Sequence, residues 1–198
     1  MRRIFYIGLM VGFCSCGHMI YSYKFSMKES EKPYKLYYKN DTLSISSNFY
    51  FEGLMVEVTN KSDEPVKINW DELTMTENET NKKIEHVVIN EGGIIVYQPP
   101  SIISPKSGYA DLVVYADNIY YLKEDGEEKM KIKDMYPRES RKRERDSVQQ
   151  LKGQRITLLL PIEIKSVSHL RVFNFLLEEI KSRREFSAGG TILTLISL

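Results

Sequence analysis

Short segments in which apolar and polar residues alternate recur along most of the chain. Within residues 53–59, Leu54, Val56 and Val58 fall on one face, as expected for a half-buried β-strand. A polar turn at residues 60–65 follows, and a second alternating segment begins directly after it. Two alternating segments joined by a tight polar link predict a hairpin or a corner between two sheets.

The same pattern predicts further strands on both sides of this pair. They are expected at residues 34–38, 42–46, 66–76, 83–90, 94–97, 108–115, 119–122, 155–164, 169–178 and 191–198. Between two of them lie Pro99, Pro100 and Pro105, which cannot donate ladder hydrogen bonds, so residues 98–108 are predicted to be a loop crossing between sheets. Pro161 predicts an edge position or a bulge for its own strand.

Residues 123–153 have a different character, because they are rich in charge and interrupted by Gly126 and Pro137. Residues 138–153 have helix-forming composition, and Gly153 suits a helix stop. We therefore predict a charged, partly helical insertion at about 123–153. Many short strands, closely spaced turns and the lack of a long amphipathic helix predict an all-β fold, an antiparallel β-sandwich.

The C-terminal end leaves two assignments open. Residues 176–184 suit either a strand or a helical turn. Residues 191–198 suit either a final apolar strand or an unpaired tail.

The first residues have the three-part layout of a bacterial export signal. Arg2 and Arg3 are basic, residues 4–13 are uncharged and mostly apolar, and small residues with cysteine follow. The apolar run is shorter than the ~20 residues of a transmembrane helix. A cysteine at the end of such a run resembles the lipobox of bacterial lipoproteins.

In that motif the residue before the lipidated cysteine is small. Ser15 precedes Cys16, whereas bulky Phe13 precedes Cys14, so Cys16 is the favoured acceptor and Cys14 the alternative. We predict a lipoprotein-type signal peptide at 1–15, a tether at 16–33 and a β-sandwich domain at 34–198. An ordinary cleaved signal and an N-terminal anchor are the competing interpretations.

Lipidation at Cys16 would place the protein in the bacterial cell envelope, held at the outer membrane by acyl chains such as palmitate. The chain has two cysteines, and this processing would leave the mature domain with no free thiol and no disulfide. A formal net charge of +1 creates no overall field that would select nucleic acid.

Catalytic constellations are poorly supported by the sequence. Its histidines, His18, His86 and His169, show none of the local pairing that typical metal sites have. No G-x-S-x-G motif or phosphate-cradling glycine loop occurs. The adjacent carboxylates Asp71 and Glu72 would point to opposite faces of a strand. We therefore expect no enzyme activity, no cofactor and no metal site.

Exposed aromatic and basic residues are the remaining candidates for binding. Tyr97, Tyr120 and Tyr121 would suit a glycan or peptide surface. Arg141 and Arg143 belong to a locally basic stretch that could dock on anionic lipid headgroups. Trp70 alternates with buried-type residues, and we interpret it as a core anchor.

Several residues in the first half of the domain follow a sequence pattern that also occurs in other proteins. A strand ends in Asn60, a polar turn follows, the next strand carries Ile68-x-Trp70, and His86 and the Pro99-Pro100 loop come later. Over roughly 53–121 the chain resembles a set of small bacterial lipoproteins of unknown function with immunoglobulin-like β-sandwiches. This resemblance implies an immunoglobulin-like fold and an envelope location, and it implies no specific activity.

Together these observations predict a lipid-anchored, non-catalytic binding module for an envelope protein or glycan. The alternative is a structural or assembly subunit of a surface fibre that pairs by strand addition, for which the apolar segment 191–198 is the candidate strand.

Overall fold

The protein was examined as a computed structural model that describes residues 18–28, 36–89, 95–97, 101–124, 126–141, 144–188 and 191–195. The predicted signal peptide, Cys14 and Cys16 lie outside these residues. The strands are β1 (His18–Met27), β2 (Tyr37–Lys39), β3 (Leu43–Phe49), β4 (Leu54–Asn60), β5 (Val66–Ile68), β6 (Thr74–Glu77), β7 (Thr80–Lys82), β8 (Ile84–Ile89), β9 (Ile95–Tyr97), β10 (Ser101–Ile103), β11 (Gly108–Tyr115), β12 (Ile119–Glu124), β13 (Glu127–Ile132), β14 (Glu139–Arg141), β15 (Arg155–Ile164), β16 (Val167–Ala188) and β17 (Thr191–Leu195). The helical elements are the short 3₁₀ turns Trp70–Glu72 and Ala116–Asn118 and the helix α1 (Arg145–Gln149).

The strands form two antiparallel sheets and a separate ribbon. Sheet A has the order β10-β5-β15-β16-β1-β14, with β6, β7 and β17 paired off this path. Sheet B has the order β2-β3-β4-β11-β8-β9, and β12 pairs with β13 as the ribbon. The prediction of an all-β fold is confirmed.

The two sheets face each other across one hydrophobic core. Sheet A contributes Leu158 and Phe173, a cross-strand pair that is fully buried, and sheet B contributes Leu54 and Val56. Aromatic rings join the sheets, since Phe49 of β3 packs edge-on against Phe175 of β16, with ring centroids 5.2 Å apart. Burial of each such side chain stabilises the fold by about 1.5–3 kcal/mol.

A second, smaller apolar cluster lies on the outer side of sheet B. Val87, Leu112 and Val114 point away from the main core, and the ribbon packs over them through residues that include Met130 and Ile132. The ribbon therefore acts as an intramolecular cover for this outer face.

The predicted tether at 16–33 is wrong over most of its length, because His18–Met27 forms β1 inside sheet A. This strand pairs with β16 on one side and with β14 on the other. Its alternating residues Met19, Tyr21, Phe25 and Met27 are buried, with a register shift between Lys24 and Phe25. The Tyr21 hydroxyl is also hydrogen-bonded to Ser140 at 2.7 Å. Burial of one face holds this segment in the domain.

The proline-containing segment is partly strand. Ser101–Ile103 forms β10 at the edge of sheet A, so the loop prediction for 98–108 is wrong at these residues. The prolines flank β10 and do not interrupt its ladder, which is consistent with their lack of an N–H donor.

Pro161 is accommodated in an interior strand, which the sequence did not predict. β15 lies between β16 and the pair β5 and β6. β6 pairs with residues 156–159 and β5 with residues 162–164, so Pro161 falls in the gap between the two ladders. The 3₁₀ turn Trp70–Glu72 occupies the chain between β5 and β6 and creates this gap.

The predicted polar turn at 60–65 is anchored by one buried side chain. Asn60 accepts a hydrogen bond from the Ser62 amide at 2.9 Å and donates to the carbonyl oxygens of Glu64 and Ile103 at 2.7 and 3.1 Å. The amide therefore ties the end of β4 to β10 in the other sheet.

The segment 123–153 contains more strand than helix among its described residues. It holds the end of β12, then β13 and β14, while α1 spans only Arg145–Gln149. Near the C-terminus, residues 176–184 are strand and belong to the 22-residue β16. Residues 191–195 pair with β16 of the same chain.

Candidate binding surfaces

The outer face of sheet A carries exposed aliphatic side chains. On β16 the residues that alternate with the buried Phe173 and Phe175 are Leu170, Val172 and Leu176, which are 59%, 42% and 37% exposed. Leu176 lies between β15 and β1, whereas Leu170 and Val172 lie on the part of β16 whose described ladder partner is β15 alone. Their exposure is informative because all three residues belong to a paired strand and not to a loop.

Neighbouring strands extend the same face. Leu170 lies opposite Pro161 of β15, and Val172 lies opposite Leu159. Leu170 and Val172 are exposed, Leu159 is half-buried and Pro161 is buried. Leu159, Leu170 and Val172 form an aliphatic patch, which we call the sheet A patch. The ion pair between Lys67 and Glu163, 3.6 Å apart, lies one row further along this face.

Beyond that ion pair, β10 adds one more exposed aliphatic residue. Ile102 pairs with Lys67 and is 70% exposed. Among the described residues, no element packs over the sheet A patch as the ribbon packs over sheet B.

Two of the tyrosines predicted to form a binding surface lie on opposite faces of the ribbon. Tyr120 and Tyr121 are successive residues of β12, so they project to opposite faces, and both are exposed. Tyr120 shares its face with Leu122 and Lys131, away from sheet B, whereas Tyr121 shares its face with Met130. The ribbon therefore does not present both rings to one ligand.

Tyr120 lines an open groove of about 630 Å³ between the ribbon and the first strand of sheet A. The groove's lining includes the apolar residues Ile20, Ile132 and Pro137 and the charged residue Arg138. Arg138 is paired with Glu52 and Asp134. Its charge is therefore already neutralised by protein carboxylates.

The other predicted binding residues lie on separate elements. Arg141 ends β14 and pairs in register with His18, at the edge of sheet A. Tyr97 ends β9 at the edge of sheet B, in register with Val87. Arg143 lies outside the described residues.

A buried polar cluster connects the two sheets near Trp70. His86 Nδ1 lies 3.0 Å from Asp111 Oδ2, and both side chains are buried on adjacent strands of sheet B. The His86 ring stacks on the Trp70 indole, with centroids 5.1 Å apart, and Trp70 Nε1–H donates to Ser101 Oγ at 2.9 Å. Trp70 is 3% exposed, which confirms its interpretation as a core anchor.

The electrostatics of this cluster follow from its burial. Burial raises the pKa of Asp111, and the hydrogen bond and charge of His86 offset part of that rise. The His86–Asp111 hydrogen bond joins β8 to β11, and the stacking of His86 on Trp70 joins β8 to the Trp70 turn. A small cavity of about 390 Å³, lined in part by Trp70, Glu85 and His86, lies beside it.

The remaining histidines lie on other strands. His169 is exposed on β16 in sheet A, and His18 begins β1. Among the described residues, no group of three His, Cys, Asp or Glu side chains is placed to hold a metal ion. In the same part of the chain, no helix has the length and apolar character needed to cross a bilayer.

Comparison of the chain with protein-family models, with curated proteins and with solved structures found no match.

The sheet A patch was missed at the level of sequence, although a signal for it exists. In residues 169–178 both sets of alternating positions are apolar, with Leu170 and Val172 on one face and Phe173 and Phe175 on the other. A strand that is apolar on both faces is typical of burial on both sides. In this structure only one of the two faces is buried within the chain.

Proposed function

We propose that this protein is a non-catalytic binding module of the bacterial envelope, anchored by lipid on Cys16 at the outer membrane. Its binding surface is the sheet A patch, formed by Leu159, Leu170 and Val172. The observation that carries this proposal is the uncovered aliphatic face of sheet A. Covering Leu170 and Val172 with a partner would gain a share of the ~1.5–3 kcal/mol available per fully buried aliphatic side chain.

The chemistry of the patch favours a protein partner over a glycan. Its side chains are aliphatic, whereas sugar rings need hydrogen-bonding groups and flat aromatic faces beside them. The Lys67–Glu163 pair supplies a polar rim on one side. We therefore expect the partner to be an envelope protein that presents an apolar surface of its own.

Two further features belong to the same proposal. We assign the fold to the immunoglobulin-like class of sandwiches, which is supported by two antiparallel sheets that share one core. We assign residues 123–153 as a charged, partly helical insertion, which is supported by the high charge of the segment and by α1.

Strand addition in a surface fibre has less support. The strands at both ends of each sheet path, β2, β9, β10 and β14, have three residues each. Short edges offer few backbone groups to an incoming strand. A longer edge lies at residues 167–173 of β16, whose described ladder partner is β15 alone. The segment Thr191–Leu195 would have to leave β16 before it could pair with another chain.

The lipid anchor is tested by mass spectrometry of the mature N-terminal peptide. We expect the wild-type protein and the Cys14→Ser variant to carry acyl chains on Cys16, and the Cys16→Ser variant to lack them. An unmodified peptide that begins elsewhere in the wild type would refute the anchor and leave the binding surface to be tested separately.

The binding surface is tested by replacing Leu170 and Val172 with serine and measuring the size of the native complex in detergent-solubilised envelopes. The wild-type chain should migrate as part of a larger complex, and the double variant should migrate as the free chain. The matched control is Tyr120→Ser with Leu122→Ser, which changes exposed residues on the ribbon and should keep the complex. Equal migration of both double variants with the wild type would contradict the proposal, and a complex containing only this chain would reassign the patch to self-association.

A further inference from the structure

The first residues of β16 form an edge of sheet A. β1 pairs with residues 175–185 of β16, and the Lys28 amide extends this contact by donating to the Asn174 carbonyl oxygen at 2.9 Å. Residues 167–173 have β15 as their ladder partner on one side, and no described residue pairs with them on the other side. We call residues 168–172 the β16 edge.

The hydrogen bonds on both sides of β16 show which backbone groups point toward this open side. The N–H and C=O of Leu177 both bond to the residues just before β15, whereas the C=O of Asn174 points the other way, toward the end of β1. These directions alternate along an antiparallel strand. The groups that face the open side therefore belong to Ser168, Leu170 and Val172.

The same residues carry exposed side chains on the outer face of the sheet. Leu170 and Val172 belong to the sheet A patch and are 59% and 42% exposed. The β16 edge thus combines outward-directed N–H and C=O groups with an aliphatic surface. An extended peptide that pairs with such an edge gains backbone hydrogen bonds, and its alternate side chains extend the apolar face.

Arg171 lies between these residues and points to the opposite face, toward sheet B. Its guanidinium carbon lies 5.9 Å from the centre of the Tyr38 ring. The Arg171 Nε atom is buried and has no hydrogen-bond partner among the described residues. A residue directly opposite Arg171 on an added strand would lie about 5 Å away between Cβ atoms. A carboxylate at that position would supply a charge-assisted hydrogen bond to the guanidinium.

A second copy of the chain does not supply that carboxylate. Residues 167–174 contain no aspartate or glutamate. Antiparallel pairing of two β16 edges places Arg171 opposite His169 when Leu170 faces Leu170, and opposite another Arg171 when Leu170 faces Val172. An inward-pointing charge on an edge strand opposes this kind of self-pairing. The observations therefore favour a strand from a different protein.

We propose that the β16 edge accepts an extended strand from the partner protein, in which an acidic residue opposite Arg171 is flanked by two aliphatic residues opposite Leu170 and Val172. This inference rests on the binding function proposed above and specifies how the partner binds. The added strand would continue sheet A and bury the exposed side chains of the patch at its outer face.

Backbone hydrogen exchange tests the edge directly. It is measured residue by residue on the native complex from detergent-solubilised envelopes and on the same chain released from that complex. In the released chain, the amides of Leu170 and Val172 should exchange at least about tenfold faster than those of Arg171 and Phe173, which face β15. In the complex, the amides of Leu170 and Val172 should slow by at least about tenfold. Equal protection of these amides in the released chain and the complex would refute strand addition.

Two matched pairs of variants test the geometry and the charge. Leu170→Pro removes an N–H that points to the open side and leaves the β15 ladder intact, whereas Leu170→Ala keeps the N–H. The fraction of the chain in the complex should fall at least about fivefold further in the proline variant than in the alanine variant. Arg171→Glu should release the chain and Arg171→Lys should retain the complex. Unchanged urea denaturation of the Arg171 variants shows that the released chain is still folded.

The outcomes separate this inference from the function on which it rests. If Leu170→Ser with Val172→Ser releases the chain, but Leu170→Pro behaves like Leu170→Ala and Arg171→Glu keeps the complex, the partner covers the face without adding a strand. The inference is then refuted and the proposed function stands. If none of these variants releases the chain, both are refuted.

Discussion

The two sheets differ most in what covers their outer faces. Sheet B presents Val87, Leu112 and Val114 outward, and the ribbon packs over them. Sheet A presents Leu170 and Val172 outward, and both remain substantially exposed. Each sheet thus has apolar residues on its outer face. The ribbon covers those of sheet B, and those of sheet A stay exposed to solvent.

This difference separates residues that serve stability from residues that serve binding. Isolated exposed apolar residues are common on protein surfaces, but a contiguous apolar patch on a paired strand marks an interaction site more often. On sheet B, burial of the outer apolar residues requires an additional two-stranded ribbon. The absence of a similar cover on sheet A among the described residues is the reason we assign that face to a partner.

The difference between the two outer faces is tested most sharply by replacing one leucine with alanine on each face. Leu112→Ala removes a side chain that is 4% exposed and should lower the free energy of unfolding by about 2–4 kcal/mol. Leu170→Ala removes one that is 59% exposed and should change it by less than about 0.5 kcal/mol. Urea denaturation of both variants gives the two values, and similar losses would show that the faces are equivalent.

Removing the cover should make sheet B resemble sheet A. Met130→Glu with Ile132→Glu places charge against Val87, Leu112 and Val114, so the ribbon should leave the sheet and the protein should lose about 1–3 kcal/mol of stability. The exposed apolar area should then grow, and binding of a hydrophobic dye should rise above that of the wild type. Glu127→Lys with Glu128→Lys, at exposed ribbon positions, is the control and should leave dye binding unchanged.

The smallest expected effect concerns the inner side of sheet B, where Asp111 precedes Leu112 on β11. The pKa of Asp111 is raised in the folded protein, mainly by burial, so its protonated form favours the folded state. This contribution is present at low pH and is lost as the pH rises through the raised pKa. The free energy of unfolding of the wild type, relative to Asp111→Asn, should therefore fall as the pH rises above the ordinary aspartate pKa of about 4. A flat or rising difference would contradict the direction of the shift.

Sequence patterns were sufficient where alternation and turn chemistry act together. The segment at 155–164 matches β15 and the segment at 108–115 matches β11, because each is a short run rich in aliphatic residues and bounded by turn residues. The all-β fold follows from many such segments. The buried position of Trp70 also follows, since its neighbours Val66 and Ile68 are buried on the same side.

The features that were missed depend on long-range partners. β1 alternates at Met19, Tyr21 and Phe25, but its pairing with β14 and β16 lies far away in the sequence. The His86–Asp111 pair joins residues on different strands, and neither residue signals the other locally. The exposure of Leu170 and Val172 depends on what fails to cover them, which no local pattern encodes.

The most direct test of the binding face is photo-crosslinking in intact cells, with a photoreactive amino acid placed at Val172 or, as a control, at Leu122 on the ribbon. The proposal predicts a discrete adduct with one envelope protein from position 172 and none from position 122. The absence of an adduct at 172, or the same adduct from both positions, would contradict the claim that sheet A binds a partner through its uncovered face.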